Sequence, residues 1–274
     1  MELDLKKVSL DAYDTGGELT LTQEETAETI VPDYCPDIAR IIQTDGKVYL
    51  HSRELRDGKA ELSGTLRVTV LYTPDGESGI RTLEFAIPFT AESDGRALPG
   101  CQHLTVETET EFLEARMLNP RKIFTHCKLV THVTGYQRKP LVFCSDTEAE
   151  PELQVEKRQE EQHAILLTHI AEKDFTFTEE MNLSPGREGA AELLTSQVSS
   201  TVTETKIVGS KLIFKGVFSI SLLYRDNNGS CGFVTSELPF SQIMEVEGAV
   251  EGSAASMQLQ LTGTDLQIDG DDPE

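Results

Sequence analysis

The chain repeats itself. Laid over itself at an offset of 152 residues, 61–72 (ELSGTLRVTVLY) falls on 213–224 (IFKGVFSISLLY), and the alignment runs back to residue 36 without a gap. Identities are few: Ala39/Ala191, Lys59/Lys211, Gly64/Gly216, Leu71/Leu223 and Tyr72/Tyr224. The pattern carries the match. Leu62, Leu66, Val68, Val70 and Tyr72 share one parity, and Phe214, Phe218, Ile220, Leu222 and Tyr224 repeat it. Successive strand side chains point to opposite faces, so each run predicts a long strand with one buried face. Gly64 and Gly216 fall at the same place in it, where a glycine marks a bulge or a close backbone approach. Self-similarity at a fixed period limits the chain to two copies of one unit.

Each strand leads into turn chemistry, Thr73-Pro74-Asp75-Gly76 in the first copy and Arg225 to Gly229 in the second. Asp-Gly and Asn-Gly pairs tolerate positive φ, so both sites predict antiparallel hairpins. The returning strands end at Pro88-Phe89 and Pro239-Phe240, with the offset now 151. Residues 104–112 and 257–261 share a further alternating cadence, in which Glu107, Glu109 and Glu111 read as a solvated face.

One short helix per copy is expected as well. Pro36 suits a first helical position, Asp37 favours the positive helix end, Ile38, Ile41 and Ile42 share a helical face, and Asp45-Gly46 is a stop. The second copy offers Pro185 followed by Ala190, Leu193 and Leu194. Residues 138–140 and 146–152 have a linker composition, which divides the chain into 1–147 and 148–274. The expected fold is mainly β: two tandem twisted antiparallel, sandwich-like domains, each with one short helix.

Charge narrows the function classes. Lys and Arg total 24 against 47 Asp and Glu, a net charge of −23. Such a chain repels phosphate backbones and anionic lipid surfaces, so neither nucleic acid nor membrane insertion is expected. No apolar run is long enough to span a bilayer, and the N-terminus lacks a signal-peptide core, which predicts a cytoplasmic protein. Cys35, Cys101, Cys127, Cys144 and Cys231 are odd in number and dispersed, which argues against a disulfide framework.

Residues 30–48 read IVPDYCPDIARIIQTDGKV. This stretch resembles the opening signature of the SPOCS domain of SipL-like proteins, VPDxxPDIxxILxxDxKV. Leu62, Gly64, Leu71-Tyr72 and Pro88-Phe89 follow in the family's order, and Asn119-Pro120-Arg121-Lys122-Ile123 resembles its NxRKI segment. The second copy matches less well, having Glu188, Gly189 and Ala190 in place of the PDI triplet. The resemblance implies a non-enzymatic scaffold in coat assembly on the forespore, in the mother-cell cytoplasm of endospore-forming Firmicutes. Family members carry a C-terminal LysM domain that docks to the polymerising ATPase SpoIVA. No LysM segment is present in these 274 residues, and nothing after residue 267 corresponds to 122–136 of the first copy, which suggests a piece of a longer protein. Spore coat morphogenetic proteins are the implied partners. Edge strands offer a route to self-association.

Chemistry-bearing motifs are sparse. No phosphate-cradling, nucleophile-elbow or zinc-helix motif occurs, and no catalytic, cofactor or metal residues are assigned. His126, Cys127 and His132 are the best metal candidates, but on a strand positions 126 and 132 stand roughly 20 Å apart and Cys127 faces away. Cys35 beside a helix N-terminus would be a candidate reactive thiol. Asp269, Asp271 and Asp272 hint at a calcium loop without its remaining ligands. Asn228-Gly229-Ser230 is a formal sequon that reads as a hairpin turn. A carbohydrate- or peptidoglycan-binding β module is the alternative, weakened by the absence of Trp and by 6% aromatic residues.

Overall fold

The computed structural model describes residues 4–148, 156, 158, 160, 161, 163–181 and 190–268. Its described elements are nine strands: β1 (Asp4–Ile30), β2 (Ile38–Arg56), β3 (Lys59–Pro74), β4 (Arg81–Glu92), β5 (His103–Asn119), β6 (Lys122–Glu148), β7 (Ala190–Val208), β8 (Lys211–Asp226) and β9 (Cys231–Glu245). They form three antiparallel three-stranded sheets, ordered β1-β6-β5, β2-β3-β4 and β7-β8-β9. The fold is all-β, as the alternation predicted.

β3 shows why. Leu62, Leu66, Val68, Val70 and Tyr72 are all buried on one face, and with Leu83, Ile87 and Phe89 of β4 they form the inner side of the second sheet. Opposite lie Leu104 and Val106 of β5 and Ile123, Cys127, Leu129 and Val133 of β6. Two sheets packed over one aliphatic core make a sandwich.

The repeat is reproduced bond by bond. Ile38 pairs with Pro74 and Ala190 with Asp226; Arg56 pairs with Lys59 and Val208 with Lys211. β2 carries register shifts at Ile38/Arg40, Ile41/Gln43 and Leu50/Ser52, and β7 carries them at Ala190/Glu192, Leu193/Thr195 and Val202/Glu204. Each lies 152 residues after its counterpart. Gly64 pairs with Leu50 at the third bulge, and a Cβ there would meet the Tyr49 carbonyl oxygen at 2.6 Å and the Phe89 ring at 2.5 Å. Gly216 faces Thr201 O and Phe240 in the same way. The close approach expected of both glycines is present.

The expected helices are not. Ile38 begins β2, and Asp45-Gly46 lies inside it rather than ending a helix. A bulge inserts one residue, so two bulges three residues apart turn the strand's period of two into steps of three. Ile38, Ile41 and Thr44 stay on the inner side for that reason, while Ile42 is 48% exposed. Double bulging imitates a helical period. In the second copy Leu193 and Leu194 belong to β7, and Pro185 lies outside the described residues. The linker composition at 138–140 is also strand: Arg138, Lys139 and Pro140 pair with Tyr13, Ala12 and Asp11.

The β7-β8-β9 sheet buries Leu212, Phe214, Phe218 and Phe240 against Phe175, Phe177, Met257, Leu259 and Leu261. Aromatic rings carry this core, with Phe218 and Phe240 centroids 4.6 Å apart and Phe177 and Phe218 5.0 Å apart. The two copies touch. Tyr49 Oη lies 2.5 Å from Thr264 Oγ1, Arg67 Nη1 donates to Thr264 O at 2.8 Å, and Lys47 Nζ to Ser196 Oγ at 3.2 Å.

Candidate functional site

β1 ends at Ile30 in one sheet and β2 starts at Ile38 in the other, so residues 31–37 must cross the end of the sandwich. Backbone groups in such a crossing lack a ladder and need other partners. Val31 N donates to Arg121 O, Ile38 N to Pro120 O, and Cys35 N to Pro32 O, each at 2.9 Å. The Arg121 side chain supplies the rest. Its Nη1 donates to Cys35 O at 2.7 Å and Asp37 Oδ1 at 3.1 Å; its Nη2 donates to Val31 O at 2.8 Å and Asp33 Oδ1 at 3.2 Å. A planar fork of donors suits four oxygens set around it, which an ammonium would not.

The clamp holds the loop onto the core. Tyr72, 0% exposed, donates from Oη to Pro36 O at 3.3 Å, and burial pushes its phenol up to about 12. Val31 and Ile38 anchor both loop ends in the core, at 0% and 1% exposure. Between them Tyr34 stands 88% exposed, beside a solvent-facing Asp33 and next to an Ile30 that is 71% exposed. The clamped loop thus presents an aromatic, an aliphatic and a carboxylate side chain to solvent. Residues 30–48 and 119–123 were singled out separately in the sequence; the structure joins them through Arg121.

The metal candidates do not converge. Cys127 is buried, with its thiol pushed up by burial, while His126 and His132 lie on the opposite face of β6. His126 Nε2 is 3.1 Å from Glu24 Oε2 and its ring stands edge-on to Phe112; His132 Nδ1 is 3.1 Å from Thr20 Oγ1. Among the described residues no group of three or more His, Cys, Asp or Glu side chains is placed to hold one metal ion. Cys35 is half-buried, and the helix N-terminus that motivated its candidacy is a loop. Asp269, Asp271 and Asp272 lie outside the described residues. Asn228 sits in the β8–β9 turn, where Asp226 Oδ1 accepts from Asn228 N and Ser230 N. Glu107, Glu109 and Glu111 line β5; Glu111 pairs with Lys128 at 2.6 Å.

An open cleft of about 430 Å³ lies where the copies meet, lined by Arg53, Leu55, His103, Leu104, Ile170 and Glu172 among others. Arg53 and Glu172 bridge it at 2.8 Å. No helix of the described chain is long and apolar enough to cross a membrane.

A family model described as SipL, SPOCS domain, matches residues 37–118 and again 189–269, together more than half of the chain. The two matches begin 152 residues apart and end 151 apart, the same offsets that relate the strands. No curated protein and no solved structure matches the chain.

Proposed function

The chain belongs to the SipL SPOCS-domain family, a sporulation-related group, and from that premise we propose that it is a non-enzymatic scaffold of bacterial endospore envelope assembly. The tandem family match carries the reading. Two units built to one bulge pattern suit a protein that joins others rather than one that transforms a substrate. The partners are spore coat morphogenetic proteins, met in the mother-cell cytoplasm at the forespore surface. A LysM segment, where the natural protein carries one, supplies the contact to the polymerising ATPase. The first copy's contact surface is the clamped loop with Tyr34, Asp33 and Ile30 outermost.

Sporulating cells provide the test. The tagged chain and its Tyr34→Ala/Ile30→Ser form are expressed there, imaged, and used to recover bound proteins. The expected result is enrichment at the forespore and recovery of coat proteins by the parent, with both lost in the double variant. Diffuse fluorescence and no coat protein with either chain would overturn the reading. A thermal shift with muropeptides and none of these associations would move the assignment to a peptidoglycan-binding module.

A further inference from the structure

Asn228 precedes Gly229 in the turn that joins β8 to β9. A side-chain amide followed by glycine is open to attack by the next main-chain nitrogen, because glycine brings no Cβ to crowd the approach. The other asparagines among the described residues lack that arrangement. Asn119 is followed by Pro120, whose nitrogen carries no hydrogen and cannot close a ring. Asn227 is followed by Asn228, whose own N–H is held by Asp226 Oδ1 at 2.9 Å.

Asp226 organises the turn. Its Oδ1 accepts from Asn228 N at 2.9 Å and from Ser230 N at 2.7 Å, and its main-chain O accepts from Gly229 N at 3.0 Å. Its own N donates to Ser230 O at 2.9 Å. Gly229 sits at φ +84°, a left-handed conformation that glycine adopts freely, and a side chain built there would meet nothing within 4 Å. Asn228 is exposed. The reacting groups therefore stand in water, and the Gly229 N to Asp226 O bond is what restrains the nucleophile.

We propose that Asn228 is a self-modification site, where the side-chain amide is lost and the β8–β9 turn acquires a carboxylate and, in part, an isoaspartyl link. Gly229 N, deprotonated by hydroxide, attacks Asn228 Cγ. The N–Cγ bond forms, the Cγ–Nδ2 bond breaks, and ammonia leaves with a proton taken from water. Water then opens the five-membered ring. Attack at Cγ restores the main chain with an aspartyl side chain; attack at the main-chain carbonyl leaves the chain running through Cγ. Nothing is oxidised or reduced.

The isoaspartyl product adds a methylene to the main chain inside a turn that four hydrogen bonds of Asp226 close. The ladder pairs beside it, Arg225 with Cys231 and Tyr224 with Gly232, lose their fixed end. Tyr224 is buried, so the loosening reaches the core of the second copy. The first copy's hairpin carries Asp75-Gly76 in its turn and has no amide to lose. The site does not depend on the spore-envelope reading.

The whole chain, its Asn228→Gln form and its Asp226→Ala form are held at neutral and mildly alkaline pH and sampled over weeks. Peptide mass mapping follows amide loss, and an isoaspartyl methyltransferase with labelled S-adenosylmethionine counts the isoaspartyl carboxylate. A synthetic peptide of residues 222–234 gives the rate without the turn. Expected is amide loss at 228 that quickens with pH, is slower in the folded chain than in the peptide, and leaves Asn119 unchanged. Asp226→Ala removes two accepted bonds and should react about tenfold faster than the parent. Amide hydrogen exchange across 222–234 should rise in the aged parent and stay constant in aged Asn228→Gln. An intact amide at 228 after the peptide has fully converted would overturn the proposal. Equal rates for the parent and Asp226→Ala would do so too, as would aged parent chains with unchanged exchange in the hairpin.

Discussion

Arg121 shows how much one side chain can organise. It replaces a ladder that residues 31–37 cannot have, holding two carbonyls and two carboxylates with one fork. Arg121→Ala should lower the stability of the first copy by about 2 kcal/mol in urea unfolding and raise hydrogen exchange across 31–38. Arg121→Lys should recover less than half of that loss, because an ammonium cannot reach the four acceptors together. Tyr72 sets a pH limit beneath the same loop. Its phenol is raised to about 12 against an ordinary value near 10, so the native state disfavours the phenolate. The resulting stability is complete below pH about 10 and is lost as pH rises through about 12. Tyr72→Phe should flatten that decline, measured as the urea midpoint between pH 9 and 12. Thr125 is fully buried with no hydrogen-bond partner for Oγ1, so Thr125→Val should be neutral or stabilising by about 1 kcal/mol on the same assay.

Among the elements, β3 and β8 were legible because one parity is apolar throughout and nothing interrupts the period. β2 and β7 were not. Bulges at Ile38/Arg40 and Ile41/Gln43 give isoleucines a spacing that also fits a helix, and residue types alone do not separate the two periods. Residues 138–140 misread for a different reason: charge and proline usually signal a linker, yet Pro140 sits in β6 where that strand pairs only with β1. Of the candidate site, Ile30 to Val48 and Asn119 to Ile123 stood out as motifs, but their union did not, since two of Arg121's four acceptors are backbone carbonyls that any residue could supply. Gly64 and Gly216 were read correctly, and they test whether the bulge is structural. Ala at either position drives a methyl into a carbonyl and a phenyl ring, so each substitution should cost about 1–3 kcal/mol in its own copy and leave the other unchanged. Comparable losses in both copies from one substitution would show that they fold as one unit.

Whole-molecule behaviour follows from the inequality of the copies. The first has two laddered sheets around a core whose Leu66, Val68, Val70, Tyr72 and Ile123 are 0% exposed. Among the described residues the second has one laddered sheet, buried apolar side chains at Leu194, Leu212, Phe214, Phe218, Ile220, Tyr224 and Phe240, and two flanking segments that join no ladder. Fewer buried side chains and backbone amides outside any ladder mean a lower local opening free energy. The flanking segments are nevertheless tied to the first copy, by Tyr13 N to Leu167 O, Arg53 to Glu172, and Tyr49 and Arg67 to Thr264. These contacts let the stable copy hold the weaker one in place. Urea unfolding should therefore show two transitions, with exchange in 163–181, 190–208 and 255–268 rising in the first. Arg67→Ala removes a bond from a side chain of the stable copy to a carbonyl of the weaker one. It should bring the first transition to lower urea by about 1 kcal/mol while leaving the second within about 0.5 kcal/mol. A single coincident transition, unmoved by Arg67→Ala, would mean that the copies do not differ in stability and that the contacts at Thr264 carry no coupling.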